Sequence, residues 1–209
     1  MVLAAIGRVP NTDADWFRSS GLKLDERGYV TVDGYGRTNL DGVWALGDIT
    51  PGHALAHRAF EQGITIAEKI AGADPKPVLD DTVPQVVFSF PEAASVGLTL
   101  DQAKAREDVV EPKETAYPML SNARMLMSGE GGSMTVVSGA FANNPDMQVV
   151  LGVHIVSPIA SDLIAEAEQL VGNRVPLADA ARLIHPHPTF SETLGEALLK
   201  ADGRPLHTR

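Results

Sequence analysis

The run Ile184-His185-Pro186-His187-Pro188-Thr189-Phe190-Ser191-Glu192 gathers two imidazoles and a carboxylate in one short segment. Its two prolines hold the segment extended, and Thr189 with Glu192 fits the capping-box pattern S/T-x-x-E of a helix that starts there. Glu192 then lies one turn into that helix, where it can face back toward His187. A carboxylate on one imidazole nitrogen fixes the tautomer and raises the ring's basicity, which leaves the other nitrogen to move protons near neutral pH. His187 and Glu192 are therefore candidates for a general base and acid and its partner. Plainer roles compete: Glu192 as a helix cap only, or His185 and His187 as metal ligands, although a third and fourth ligand are not evident. His154, inside an apolar strand, reads as a hydrogen-bonded core histidine.

A second candidate stands at the end of Arg37-Thr38-Asn39-Leu40-Asp41-Gly42-Val43-Trp44-Ala45-Leu46-Gly47-Asp48. A strand ending in Gly-Asp puts a carboxylate at its C-terminal edge, where ligands of α/β sheets sit, and Gly47 lets a ligand approach the backbone. Asp48 could accept hydrogen bonds from sugar or polyol hydroxyls; it could equally organise the turn before Pro51-Gly52. Leu55-Ala56-His57 opens a long helix, whose unpaired amides and positive dipole end suit a partial negative charge such as a carbonyl oxygen on a cofactor ring. His57 itself reads as a boundary residue. The methionines Met119, Met125, Met127 and Met134 suit gap filling or interface packing.

The elements that must position these groups fall into two stretches. Met1 to Ile6 is a continuous apolar run of the kind buried on both faces in a parallel sheet, so neighbours upstream are expected. A short helix capped by Thr12 or Asp13 carries Trp16 and Phe17, and Tyr29 to Val32 and Val43 to Leu46 read as strands. From Ala54 to Ala71, Leu55, Ala59, Phe60, Gly63, Ile64, Ala67 and Ile70 form an apolar stripe, with Arg58, Glu61 and Glu68 off it. Residues 72–81 have linker composition, which divides the chain into 1–81 and 82–209. Beyond it lie a strand over Val86 to Phe90, a Thr99/Gln102 capping box opening a helix to about Arg106, and an extended run over Val109 to Tyr117. Strands over Ser133 to Ala142 and Gln148 to Val156 flank a turn at Asn143-Asn144-Pro145-Asp146. Helices over Pro158 to Val171, Pro176 to Ile184 and Ser191 to Lys200 close the chain. Strands first and helices last predict an α+β domain, an antiparallel sheet with helices on one side.

Composition narrows the chemistry. The 209 residues carry 17 basic against 27 acidic side chains, a formal net charge of −10. That balance and the lack of a basic patch argue against nucleic-acid binding. The longest apolar stretch, Met147 to Ala160, is interrupted and too short for a membrane span, and Met1 to Ile6 lacks the basic leader of a signal peptide. With no cysteine at all, a disulfide scaffold, a thiolate zinc site and thiol redox chemistry by this chain alone are excluded.

Taken together, these segments resemble the C-terminal part of the flavin-dependent pyridine nucleotide-disulfide oxidoreductases. Ala5-Ile6-Gly7-Arg8-Val9-Pro10-Asn11-Thr12 is similar to the crossover leaving the NAD domain, and Thr38 through Asp48 to the second FAD motif. Leu55-Ala56-His57 is similar to the helix meeting the flavin. Phe88-Ser89-Phe90-Pro91-Glu92 with Val96-Gly97-Leu98-Thr99 resembles the entry to the dimerisation domain, and His187-Pro188-Thr189 with Ser191-Glu192 the active-site loop. The resemblance implies an α/β FAD-binding remnant over 1–81 and a dimerisation domain over 82–209. It implies FAD and NAD as cofactors: Asp48 and Gly47 at the FAD ribityl chain, the Ala56 amide at the flavin, Gly7 beside the nicotinamide nucleotide. It implies that His187, oriented by Glu192, serves the other subunit's disulfide across a homodimer interface.

Within the family the pattern is nearest to cytoplasmic members that oxidise dihydrolipoamide inside a 2-oxo acid dehydrogenase complex. Glutathione and mycothiol-type reductases are the nearest rivals, and a non-catalytic dimerisation module is the alternative from another class. The glycine-rich ADP-binding turn and the redox cysteines of the family pattern are not in this sequence, so the chain alone is expected to be inactive. Residues 1–80 are expected to be poorly supported.

Overall fold

A computed structural model describes residues 1–208 and separates the chain into two compact units, Met1–Asp80 and the residues from Asp81 onward. The first unit holds two helices, α1 (Asp15–Ser19) and α2 (Ala56–Ile70), joined by loops. Its core is small: Phe17, Val30 and Ala45 are buried, with Leu22, Leu24, Val32 and Ile49 packed around them. Main-chain bonds from Thr38 N to Val43 O (3.1 Å) and from Ala45 N to Gly36 O (2.9 Å) fold the 36–45 segment back on itself.

The strands expected in this unit fail to form for one physical reason. An extended run becomes a strand only when another strand takes its N–H and C=O groups. Met1 to Ile6 finds no such partner among the described residues and stays irregular and exposed. Tyr29 to Val32 and Val43 to Leu46 reach only isolated bridges, Leu24↔Val30 and Arg37↔Trp44. The caps of α1 also differ: the helix starts after Ala14 with no side-chain cap, and the Thr12 hydroxyl donates to Gly28 O instead. In α2 the stripe residues Phe60, Ile64 and Ile70 are exposed, whereas Arg58, placed off the stripe by its charge, is buried. Its guanidinium reaches Asp80 Oδ1 (2.7 Å) and Pro51 O (2.5 Å), hydrogen bonds that make burial of a charge tolerable.

The second unit is a five-stranded antiparallel sheet of order β1-β2-β5-β4-β3: β1 (Gln85–Val87), β2 (Glu92–Gly97), β3 (Val109–Pro118), β4 (Ser133–Phe141) and β5 (Asn144–Ser157). Helices α3 (Leu100–Ala105), α4 (Ala123–Ser128), α5 (Ala160–Gly172), α6 (Leu177–Ala180) and α7 (Glu192–Ala201) complete it. Register aligns Ala94, Ile155, Met134 and Tyr117 in one row across four strands, and all are buried. This row packs in the main core with Ile164, Ala167, Leu194 and Leu198 of the long helices. Each large side chain so buried contributes about 1.5–3 kcal/mol. Val137, whose side chain points to the face opposite Val136, joins Val149, Leu151 and Ala103 of short α3 in a smaller cluster.

The expected α+β arrangement is what the chain adopts. Local boundaries shift. The β4–β5 turn lies at Ala142-Asn143, with Asn144 already paired to Phe141, and β2 is a strand that the pattern of Glu92–Gly97 did not announce. The Thr99/Gln102 capping box forms as expected: Gln102 N donates to Thr99 Oγ1 (3.3 Å) and Thr99 N to Gln102 Oε1 (2.9 Å).

Candidate active site

The irregular segment between α6 and α7 presents His187. Its imidazole is 70% exposed, and Nδ1 donates to Glu192 Oε1 at 2.9 Å, so the lone pair of Nε2 points away from the carboxylate. Glu192, 21% exposed, also accepts from the Thr189 amide through Oε2 (2.8 Å). The capping box is therefore one-sided. The Thr189 hydroxyl donates to Pro186 O (2.6 Å) and does not accept from a first-turn amide of the helix, and Glu192 is the first residue of α7 instead of lying one turn inside it. Glu192 caps the chain entry and orients His187 at once, one oxygen for each task.

Elements distant in sequence hold this segment. Asn122, at the start of α4, accepts from Arg124 N and Met125 N through Oδ1 and donates from Nδ2 to Thr189 O at 3.1 Å. The Arg124 guanidinium lies 5.4 Å from the Phe190 ring centre. His185 departs from the metal-ligand reading: its ring turns inward, 9% exposed, and Nε2 donates to Glu166 Oε1 of α5 at 2.8 Å. Among the described residues no group of three or more His, Asp or Glu side chains could hold a metal. His154 bonds Leu98 O through Nε2 at 3.2 Å, as a core histidine should.

Electrostatics follow the contacts. Burial, the largest single influence on Glu192, pushes its carboxyl up, but the Thr189 amide and the His187 ring together outweigh it and hold the group below its ordinary value. The His185 pKa is raised, first by the hydrogen bond to Glu166, against the opposing effect of burial. Tyr117 of β3 is pushed up to about 12 by burial and then by Glu196 and Glu192. Its hydroxyl is buried without a hydrogen-bond partner among the described residues.

The residues singled out in the first unit sit on a different footing. Gly47 has φ 72° and opens a single tight turn over Gly47–Ile49; a side chain there would be strained, and its amide donates to Gln62 Oε1 at 2.9 Å. Asp48 is exposed and accepts from Arg8 Nη1 at 3.1 Å. Ala56, exposed, begins α2 after Leu55, whose side chain makes no capping hydrogen bond. Gly7 is exposed with no atom near its Cα-substituent position. The turn and the exposed carboxylate suit a hydroxyl-rich, polar ligand.

Residues 83–198 match the family described as Pyridine nucleotide-disulphide oxidoreductase, dimerisation domain, and residues 1–63 that described as Pyridine nucleotide-disulphide oxidoreductase. The chain belongs to this family. Among similar proteins, a dihydrolipoyl dehydrogenase of Cupriavidus necator is 40% identical over 208 residues, covering 99% of this chain and 42% of that protein. One from Geobacillus stearothermophilus is 39% identical with the same coverage, 99% and 42%. The crystal structure of LpdA from Mycobacterium tuberculosis superposes with a TM-score of 0.83 at 31% identity, covering 94% of this chain and 42% of that one. The chain thus spans about two fifths of the length of the curated relatives it matches. As a pyridine nucleotide-disulphide oxidoreductase sequence it carries the family's dimerisation domain but, having no cysteine in its 209 residues, no sulfur centre.

The clamp on His185 and the tie from Asn122 escaped the sequence. Glu166 and His185 are 19 positions apart, beyond any local pattern, whereas an Asn ahead of a helix was a legible cap signal.

Proposed function

We propose that this chain is the C-terminal part of a dihydrolipoyl dehydrogenase, a homodimeric flavoprotein that oxidises dihydrolipoamide and passes the electrons through a disulfide and FAD to NAD. One observation carries the reading: an exposed imidazole with Nδ1 committed to Glu192 and Nε2 left outward. His187 accepts a proton from a substrate thiol at Nε2, and Glu192 stabilises the imidazolium so formed. Dihydrolipoyl dehydrogenase relatives at up to 40% identity support that dithiol substrate over the disulfides of the rival reductases.

In this reading residues 1–81 complete an FAD-binding domain and residues 82–209 form the dimerisation domain. Asp48 and Gly47 hold the FAD ribityl chain, Ala56 offers its amide to the flavin, and Gly7 lies beside the NAD site. FAD, when bound, supplies the two-electron acceptor. The chain works in the cytoplasm, within a 2-oxo acid dehydrogenase complex, and needs sulfur from a segment outside this sequence, so alone it turns nothing over.

The test supplies that sulfur by splicing residues 1–209 in place of the matching segment of the Cupriavidus necator relative. His187→Gln should lower dihydrolipoamide oxidation by about 10²–10⁴-fold, the usual range for a lost general base. Turnover as fast as the parent's would remove His187 from this role.

A further inference from the structure

His187 sits in the middle of a segment that is tied down on both sides by different means. On the C-terminal side, Thr189 is held four ways, by Glu192, by Asn122, by the Ser191 hydroxyl and by its own bond to Pro186 O. On the N-terminal side, no main-chain to main-chain hydrogen bond reaches residues 184–188 among the described residues, and Ile184 is almost wholly exposed. Besides Pro186 O, which accepts from the Thr189 hydroxyl, the fixed point there is the His185 side chain. Nε2 donates to Glu166 of α5 at 2.8 Å, and the other side of the ring rests on α7 at Gly195, where a Cβ would fall 2.5 Å from Nδ1. Gly195 is a helical glycine, about 1 kcal/mol worse than alanine in a helix interior, and the ring occupies the space its missing side chain leaves.

We propose that the His185–Glu166 pair is a positioning device for the active-site base: by pinning the chain two residues before His187 to α5 and α7, it keeps the His187 ring in register with Glu192. His185 moves no proton to substrate. It acts through the backbone of Pro186 and His187, whose short extended path leaves little slack between a buried ring and an exposed one. His185 is also close enough to Glu192 for each to favour the other's charged form, which works in the same direction. The inference deepens the reading of His187 as the base and rests on it, but its test reads ring geometry instead of turnover.

In the 209-residue chain with ¹⁵N-labelled histidines, long-range ¹H–¹⁵N spectra report the neutral tautomer of each ring. Held by Glu192, neutral His187 should favour the Nδ1–H form by roughly tenfold or more, as a hydrogen bond to a charged acceptor warrants. Glu166 lies on a partly exposed face of α5, so Glu166→Ala removes the anchor from a helical site that alanine suits. That variant should lower the His187 tautomer ratio at least about threefold, and Gly195→Ala, which displaces the same ring from the α7 side, should do likewise. Glu166→Gln, whose amide oxygen still accepts from Nε2–H, should restore the parent ratio. A folded Glu166→Ala with an unchanged His187 signature overturns the proposal. So does Glu166→Gln behaving like Glu166→Ala, and so does outright unfolding of Glu166→Ala, which would place the pair in global stability. Failure of the base assignment itself appears elsewhere, as undiminished turnover in His187→Gln.

Discussion

The two units hold their functional groups in opposite ways. In the second, His187 and Glu192 are fixed by partners inside the same unit: Thr189 and Asn122 beside them, Glu166 from α5 and a buried row of strand residues beneath α7. In the first, Gly47, Asp48 and Ala56 sit on a tight turn and a helix start, with Gly47 bonded to Gln62 and Asp48 to Arg8, while Met1–Ile6 and the Phe60, Ile64, Ile70 face of α2 stay uncovered within their unit. The proposed proton-handling pair is thus complete in one unit, whereas the residues proposed to meet a cofactor rest on a scaffold with a three-residue core. The chemistry of a side-chain pair needs only its immediate neighbours; the placing of a large ligand needs surfaces contributed from far along a chain.

That contrast can be broken by mutation. Leu198 of α7 is fully buried, so Leu198→Ala should cost about 2–5 kcal/mol in urea unfolding of the chain. Phe60→Ala, at a side chain 71% exposed, should stay within about 0.5 kcal/mol despite removing a larger group. Equal costs would mean that α2 is packed as tightly as α7 and would dissolve the distinction.

A smaller effect sharpens it. The folded His185 pKa is raised by Glu166, so the native chain keeps a proton that the unfolded chain releases. The associated stability is whole below the ordinary histidine value of about 6.5 and is lost as pH climbs through the higher folded value. The urea midpoint should therefore fall more between about pH 6 and about pH 9 in the parent than in Glu166→Gln. A parallel decline in both would dissociate the pair from folding.

What the sequence disclosed follows from distance along the chain. The Thr99/Gln102 box was legible because four consecutive residues contain the whole interaction, and His187 with Glu192 because six do. Glu92–Gly97 hid its strand behind Ala93, Ala94 and Ser95, weak strand formers whose extension comes from pairing with β5. Met1–Ile6 misled in the reverse direction: its composition is that of a buried strand, but composition does not supply the partner. Arg58 misled because hydropathy registers its charge and not the hydrogen bonds to Asp80 and Pro51 that let it be buried. His185 was given no partner by its neighbours in sequence, because that partner lay on α5.

The claim that His187 and Glu192 act as one unit is tested most directly by a double-mutant cycle on dihydrolipoamide oxidation in the spliced enzyme. Residues that share one task are non-additive. With His187→Gln already in place, adding Glu192→Gln should slow the reaction by less than about twofold, although Glu192→Gln alone slows it by roughly tenfold or more. Multiplication of the two single losses in the double variant would contradict the account, because the carboxylate would then be serving the reaction by some route other than the imidazole it holds.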